Sequence, residues 1–263
     1  MSDERIILSE TTDERRTDIR EVETMENSIY LGLSRQMVLQ TNMDIVANNI
    51  ANMNTSGFRG QNPLFEEYMS DPRDADDPLS FVYDYGQYQM TKQGSIEQTG
   101  NPFNVALNGP GFMGVQMPGG ETAYTRDGNF QKRADGTLVT SSGLPVMSDG
   151  GPIVISDNAT EINIDEKGVV SDQNGPIAKL MVVEFENVQE LEPAGNNLYI
   201  SKGNSAAATK TKVAQGFLEG SNVEPVVEMS RMIEILRDFQ STQKLLEGEH
   251  ERLRSAIQKL TQV

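Results

Sequence analysis

Cysteine and tryptophan are both absent from this chain of 263 residues, and histidine occurs once, at His250. The lack of cysteine excludes disulfides, thiolate zinc sites and a cysteine nucleophile. A single histidine excludes a multi-histidine metal site, and His250 lies in a heptad pattern, where a polar side chain more often sets helix register than performs chemistry. No pair among the 39 acidic residues stands out as the two carboxylates of a glycosidase. The sequence therefore predicts a protein that is not an enzyme and has no cofactor and no metal.

Basic residues are scarce as well, because 22 lysines and arginines accompany 39 aspartates and glutamates, for a net charge of −17. This charge argues against binding to nucleic acid or to anionic lipid. The longest uncharged apolar runs, such as residues 180–183, are far shorter than the roughly 20 residues that a membrane span needs. The first residues also differ from a Sec signal peptide, because acids stand where its basic region should be. We therefore predict no nucleic-acid partner, no membrane span and, if the protein leaves the cytoplasm, export without a cleaved Sec signal.

The N-terminal part of the chain changes character near residue 25. Residues 1–24 contain eight acids and four arginines but few large apolar side chains, which predicts a disordered acidic tail. From there apolar residues recur at three- and four-residue spacing, which predicts a helix over about 26–53 that Gly57 ends. Residues 25–60 thus form the first helix and its turn.

Two further segments follow before the last helix. Residues 61–93 are rich in acids and are interrupted by Pro72 and Pro78, which predicts an extended acidic connector. Residues 94–215 contain short runs of alternating or branched residues separated by Asp-Gly and Asn-Gly dipeptides, which supply the positive φ of tight hairpins. They predict an all-β domain, either a sandwich or a barrel.

The GPGFMG motif at residues 109–114 matches the spacing of a dinucleotide-binding loop. That chemistry requires the loop to open a helix, so that backbone N–H groups face the pyrophosphate. The residues that follow, VQMPGG, cannot continue a helix. We therefore interpret these glycines as structural.

Residues 216–263 show a heptad pattern over about four repeats, which is typical of coiled-coil packing. The alternative is an ordinary amphipathic helix that packs on the β domain, but about 40 residues at 1.5 Å each span about 60 Å, more than one compact domain needs. The predicted seam consists of Met229, Met232, Leu236, Phe239, Leu246, Leu253, Ile257 and Leu260. The whole pattern predicts an α+β protein, with an all-β middle domain of short strands and hairpins flanked by long N- and C-terminal helices that form a coiled-coil-like assembly layer.

Three blocks of the sequence resemble the bacterial flagellar rod–hook family. Residues 43–59, MDIVANNIANMNTSGFR, are similar to its N-terminal signature. Residues 111–146, which include AYTRDGNF, are similar to its β-domain pattern, and residues 216–244, which begin GFLEGSNVEPVVEMSRM, are similar to its C-terminal block. Within the family, MENSIYLGLSRQ and LEGSNVEPVVEMSRMI are most similar to the basal-body rod members.

The resemblance implies a structural subunit of the proximal rod of the flagellar basal body, which crosses the periplasm and contributes to motility. A distal rod subunit is the alternative within the family. It also implies type III flagellar export, partnership with other rod proteins, with copies of itself and with the export apparatus, and terminal helices that order on assembly. From other classes, the alternatives are an envelope-associated carbohydrate-cleaving enzyme and a secreted β-domain binder that its helices trimerise. Residues 1–24 have no counterpart in the family motif, so either Met25 is the natural start or the tail is an added segment.

Four asparagines occur within seven residues, where the first helix is predicted to end. Asparagine is a mediocre helix former, but its amide can bond the unpaired carbonyls of a helix end. We expect these amides to bind neighbouring subunits or the turn at residues 55–57 once assembly buries them. The predicted assembly motif consists of Ala47, Asn48, Asn49, Ala51, Asn52, Thr55, Gly57 and Phe58.

Overall fold

The computed structural model describes residues 3–70, 79–159, 161–203 and 205–261, and their side chains except at 3–26, 70, 79, 84 and 259–261. The described backbone consists of an N-terminal helix, a mostly β middle region and a C-terminal helix, as predicted. The chain divides into two compact units. The helical unit comprises Met1–Ala47, Pro63–Gln87 and Met229–Val263, and the β unit comprises Asn48–Asn62 and Tyr88–Glu228.

Helix α1 spans Asp3–Ala51 and is much longer than predicted. Residues 3–24, predicted to be a disordered tail, form its first turns instead. The chain has no glycine before Gly32 and no proline before Pro63, so no strong helix breaker stands in this segment. The helix also ends two residues earlier than predicted, and turns follow it up to Gly57.

The segment predicted as an extended connector contains two paired strands. Strand β1 covers Gln61–Ser70 and strand β2 covers Leu79–Gln89, and the two form a two-stranded sheet. The aspartate-rich run 71–78 between them lies outside the described residues. In the helical unit, the Ser34 hydroxyl of α1 donates a hydrogen bond of 3.0 Å to the Val82 carbonyl of β2.

Helix α2 spans Pro225–Thr261 and packs against α1 within the helical unit. A Cβ on Gly32 of α1 would lie 2.6 Å from a methyl carbon of Leu246, so glycine permits this close approach. Arg35 and Asp238 form an exposed ion pair of 4.0 Å further along. From the first of these contacts to the second, the residue number rises on α1 and falls on α2, so the two helices run antiparallel. No helix of the described residues is both long and apolar enough to cross a membrane.

The β unit contains seventeen further strands in its described part, most of them short, as the sequence predicted. Their bounds are β3 Ile96–Gln98, β4 Val105–Asn108, β5 Phe112–Gln116, β6 Thr122–Thr125, β7 Phe130–Lys132, β8 Leu138–Thr140, β9 Met147–Ser148, β10 Gly151–Pro152, β11 Asn163–Ile164, β12 Val169–Asp172, β13 Gly175–Lys179, β14 Val182–Glu184, β15 Leu191–Gly195, β16 Leu198–Ser201, β17 Ala206–Ala207, β18 Lys212–Gln215 and β19 Phe217–Glu219. The largest sheet has six strands in the order β15-β16-β6-β5-β14-β17. The others are β11-β12-β13 and the pairs β10-β9, β18-β4, β19-β3 and β7-β8.

The core of the β unit forms on both faces of strand β5. Phe112 and Met113 are adjacent on this strand but belong to different buried clusters, because successive side chains of a strand point to opposite faces. Phe112 makes edge-to-face contacts with Phe185 and Tyr199 at centroid distances of 5.7 and 5.9 Å. The cluster around Met113 also contains Val105, Leu107, Phe130, Leu138, Val146, Ile153, Ile155, Ile164, Val170, Leu180 and Val213.

The predicted turn glycines do not all have the same role. Gly136 and Gly175 have φ values of 83° and 128°, as expected of hairpin turns. Gly128 differs, since a Cβ there would lie 1.6 Å from the Val105 carbonyl oxygen. It permits a close approach to the start of β4, where the Val105 N–H donates a hydrogen bond of 3.0 Å to the Gly128 carbonyl, rather than a hairpin.

The GPGFMG motif forms a turn that leads into strand β5 and not into a helix. The Gly111 N–H donates a hydrogen bond of 2.8 Å to the Thr211 hydroxyl, and a Cβ on Gly111 would lie 2.8 Å from the same oxygen. The structural interpretation of these glycines is therefore confirmed.

Candidate assembly site

The end of helix α1 is attached to the rest of the β unit by the amide of Asn49, which is 1% exposed. Its Nδ2 donates hydrogen bonds to the Gln61 carbonyl at 2.8 Å and to Glu228 Oε2 at 3.1 Å. Its Oδ1 accepts a bond of 3.0 Å from the Gln61 N–H. One side chain thus joins three segments, namely the end of α1, the start of β1 and the first turn of α2.

The other asparagines act locally. Asn52 Nδ2 donates to the Asn48 carbonyl at 3.0 Å, which satisfies an acceptor at the helix end, and Asn52 Oδ1 accepts from the Thr55 hydroxyl at 3.2 Å. Asn49 thus forms hydrogen bonds with residues of its own chain. Asn52 forms one with the turn at residues 55–57, which is one of the two partners that the sequence predicted for these amides. Asn48 is exposed.

The turn after α1 packs on the loop around Arg126. Gly57 has a φ of 65°, and a Cβ there would lie 2.4 to 2.6 Å from backbone atoms of Arg126 and Asp127. Its N–H donates a bond of 2.7 Å to the Glu219 carbonyl. Only glycine meets both requirements, so the predicted helix stop is also a tight packing site.

Beneath this turn, Arg126 and Glu219 form an ion pair of 2.6 Å at 0% and 2% side-chain exposure. Arg126 also donates to the carbonyls of Gly109, at 2.8 Å, and of Gly111. Burial lowers the pKa of Arg126 to about 10, and the Glu219 carboxylate opposes that shift. The pair links the end of β6 to strand β19.

Asn222 joins two segments of the β unit. Its Oδ1 accepts from the Gly60 N–H at 2.8 Å, and its Nδ2 donates to the carbonyls of Met90 and Lys92 at 3.1 and 2.8 Å. Helix α2 begins at Pro225, a position where proline is favoured because the first N–H groups of a helix have no partner within it.

A cleft of about 590 Å³ opens beside the helix end within the β unit. Its lining includes Asn48, Asn52, Arg59, Asp127 and Asn197. Asn197 is held in the left-handed region, with a φ of 60°, and its Nδ2 donates to the Ser56 carbonyl at 2.8 Å. Residues of the asparagine-rich motif therefore line a cleft that has both polar and apolar side chains.

Asp127 in this cleft has a pKa raised above its ordinary value, because burial penalises the carboxylate more than its bonds from the Asn129 N–H and the Ser141 hydroxyl stabilise it. At a pH between the unfolded-state and folded-state pKa of Asp127, the native protein therefore binds more protons than the unfolded chain. The stability that this group contributes is full below the ordinary pKa and is lost as pH rises through the folded-state value.

We therefore expect Asp127→Asn to raise the urea midpoint of unfolding at neutral pH, because its amide oxygen can accept from the Asn129 N–H and its NH2 can donate to the Ser141 hydroxyl. The gain should vanish as pH falls towards the ordinary aspartate pKa of 3.8. Asp135→Asn is the matched control of opposite sign, because bonds from Thr137 lower the pKa of Asp135. A loss of stability in Asp127→Asn at neutral pH would contradict this account.

The predicted seam of α2 separates into two groups. Met232, Phe239, Leu246 and Leu253 are half-buried, whereas Met229, Leu236 and Ile257 are exposed, and the Leu260 side chain lies outside the described residues. The half-buried group interleaves with the buried Ile235 and Thr242, and Leu246 of this group contacts α1. Within one chain, therefore, the half-buried group of the seam faces inward and the exposed group faces outward.

Helix α1 has a corresponding outward face. Gly32, which contacts α2, and Leu39 and Val46 recur at seven-residue spacing on α1 and are buried. On the opposite side, at three- and four-residue steps, Tyr30, Leu33 and Met37 are 62%, 49% and 65% exposed. Helix α2 has a similar group of exposed apolar residues, Met229, Ile233 and Leu236, which are 46%, 52% and 41% exposed. We call these two groups the outward faces.

The predicted assembly motif is likewise part buried and part exposed. Asn49 and Gly57 are buried, Asn52, Thr55 and Phe58 are half-buried, and Ala47, Asn48 and Ala51 are exposed. The sequence interpretation missed Arg59, Arg126, Glu219 and Asn222, which hold the motif in place. The basic residue after Gly-Phe in the N-terminal block was a signal that could have pointed to Arg59.

Three family models match the chain. The model described as "Flagella basal body rod protein" matches residues 29–59, and "Flagellar hook protein FlgE/F/G D1 domain" matches residues 106–172. The model described as "Flagellar basal body rod FlgEFG protein C-terminal" matches residues 214–259. These three regions contain the end of α1, strands β5–β12 and β19, and most of α2.

Curated relatives match along nearly the full chain. The flagellar basal-body rod protein FlgF of Caulobacter vibrioides is 38% identical over 91% of this chain and 100% of its own length. FlgF of Mesorhizobium japonicum is 32% identical over 84% of this chain and 92% of its own. The rod protein FlgG of Caulobacter vibrioides is 31% identical over 83% of this chain and 94% of its own. With this identity and coverage, the chain belongs to the flagellar basal-body rod protein family.

Proposed function

We propose that this structural subunit of the flagellar basal-body rod lies in the proximal rod and assembles through α1 and α2 with copies of itself and with other rod proteins. Family membership makes it a structural protein of the flagellum and not an enzyme. Within Caulobacter vibrioides, FlgF is 38% identical to the chain and FlgG 31%, which favours the FlgF type over the distal rod alternative. We further propose that the flagellar export apparatus delivers it without Sec cleavage.

The observation that carries this proposal is the pair of outward faces in the helical unit. Each consists of three large apolar side chains, spaced to lie on one side of its helix and 41% to 65% exposed. Apolar area removed from water stabilises an association by roughly 25 cal/mol per Å² before its ordering costs are subtracted. Contiguous apolar surface of this kind is typical of contact sites between proteins. Packing of these faces against neighbouring helices would complete the layer that the heptad pattern predicts.

Met37 provides the test, because it is 65% exposed and lies on the outward face of α1. We expect Met37→Glu to leave the unfolding midpoint of the isolated chain nearly unchanged, within about 0.5 kcal/mol, as is usual for exposed sites. Cells with only this variant should lose swimming, and the chain should be missing from purified basal bodies. Met37→Leu, which keeps the apolar surface, is the matched control and should swim. Normal incorporation of Met37→Glu would reject assembly through this face.

A further inference from the structure

Three charged side chains, Arg59, Arg126 and Glu219, are buried beneath the turn that follows α1, and this buried cluster has one more positive than negative charge. Arg59, 3% exposed, and Arg126 share a single carboxylate, that of Glu219, which is already paired with Arg126 at 2.6 Å. Burial lowers the pKa of Arg59, and Glu219 only partly offsets this shift. A buried charge without its own partner is costly, so a counter-charge from outside would be strongly favoured.

The Arg59 guanidinium is poorly satisfied within its own chain. Its Cζ lies 5.3 Å from the centre of the Phe112 ring, but no described residue forms a hydrogen bond with its Nε. Asp127 shares the cleft, yet its oxygens accept bonds from Asn129 and Ser141, and no ion pair joins it to Arg59 in the part of the chain that the structure describes. The cation therefore remains available to a ligand.

The cleft gives that guanidinium an opening to the outside. Arg59 lines it together with Asn48, Asn52, Asn197 and Ser142. The amides of Asn52 and Asn197 each donate one bond to a carbonyl of their own chain, which leaves the second N–H of each for a ligand. A volume of about 590 Å³ is enough for a side chain and its flanking backbone. An arginine among amide donors suits a carboxylate, which it can bind with two parallel hydrogen bonds.

We propose that this cleft binds an aspartate or glutamate side chain of a second copy of this chain. The inference rests on the proposed assembly of copies and names one contact within it. The chain itself offers suitable ligands, because its 39 acidic residues exceed its 22 basic ones and give each copy a charge of −17. A carboxylate bound to Arg59 would bring the buried cluster to neutrality and would offset part of the repulsion between copies.

The absence of cysteine allows a direct test, because an engineered cysteine would be the sole thiol of the chain. Ser142→Cys, labelled with a benzophenone maleimide, places a photocrosslinker at the rim of the cleft. In purified basal bodies, illumination should give a covalent dimer of this chain, and the peptide mapped by mass spectrometry should contain an aspartate or glutamate. Adding Arg59→Gln should lower the dimer fraction by about tenfold or more, as expected when one partner of a buried charge pair is removed.

Two further variants keep the test decisive. Lys167→Gln removes an exposed cation of the β unit that does not line the cleft and should leave the dimer fraction unchanged. If Arg59→Gln unfolds, Arg59→Lys, which keeps the charge without the planar fork, should retain more dimer than a Met substitution at the same site. The inference would be overturned, and the proposed function left standing, by any of three results. These are an unchanged dimer fraction in Arg59→Gln, a crosslink to a different protein, and no crosslink in basal bodies that contain the chain. Absence of the chain from basal bodies would overturn the proposed function as well.

Discussion

Replacing Glu219 with glutamine is expected to lower the free energy of unfolding of the β unit by about 3–5 kcal/mol, the usual cost of leaving one member of a buried ion pair without its partner. Glu219 is 2% exposed, and Arg126, its partner at 2.6 Å, is 0% exposed. The glutamine amide has one acceptor oxygen, so it can keep either the bond from the Gly94 N–H, now 3.4 Å from Glu219 Oε1, or the one from Arg126, and the change removes the charge and one of these contacts. Urea unfolding followed by circular dichroism measures the loss.

Glu192→Gln is the matched control, because Glu192 pairs with Lys202 at 2.7 Å but the pair is 58% and 76% exposed. Exposed pairs contribute about 0–1 kcal/mol, so this variant should be nearly unchanged. Adding Arg126→Met to Glu219→Gln should recover only part of the loss, because the carbonyls of Gly109 and Gly111 then lose their donor. Equal stabilities for Glu219→Gln and Glu192→Gln would show that the buried pair is not required for the fold.

Local patterns predicted the order of elements well. The seven-residue period of α2 and the turns at Gly136 and Gly175 follow from interactions within a few residues along the chain. The N-terminal helix was found but its length was underestimated, because an acidic composition favoured disorder in residues 3–24 while the lack of glycine and proline there was given too little weight. The paired strands β1 and β2 were described only as extended, since two prolines and many acids concealed their pattern.

The residues that hold the assembly motif in place could not be predicted, because they meet across long separations in the chain. Arg126 and Glu219 are 93 positions apart, and Asn49 and Glu228 are 179 apart. Neither partner shows a periodicity that marks it as buried, and charged residues are exposed by default. The role of Gly128 could not be predicted either. An Asp-Gly dipeptide predicts a hairpin whether its glycine lies in a hairpin turn or permits a close approach of two backbone segments. The heptad pattern also could not reveal which row of α2 faces its own chain.

Alanine at position 49 is expected to cost roughly 2–4 kcal/mol of stability, because unpaired buried polar groups and hydrogen bonds to charged groups each contribute about 1–3 kcal/mol. The Asn49 amide forms two hydrogen bonds with the backbone of Gln61 and one with Glu228, at 2.8 to 3.1 Å. Without it, the Gln61 N–H should exchange with deuterium faster, and the Gly60–Gln61 bond should become sensitive to protease. Asn49→Asp should be at least as damaging, because a carboxylate cannot donate to Glu228 and would repel it.

Asn48→Ala is the matched control, since Asn48 is the exposed neighbour on the same helix turn and its loss should stay within about 0.5 kcal/mol. The comparison separates two roles for the asparagine-rich motif. If Asn49 served only a neighbouring subunit, the isolated Asn49→Ala chain would be as stable as the wild type and would fail only in rods. Because the amide joins α1, β1 and α2 of one chain, we expect the defect in the isolated chain already. The exposed Asn48 and the half-buried Asn52, which line the cleft, then remain as the asparagines of this motif available to a second subunit.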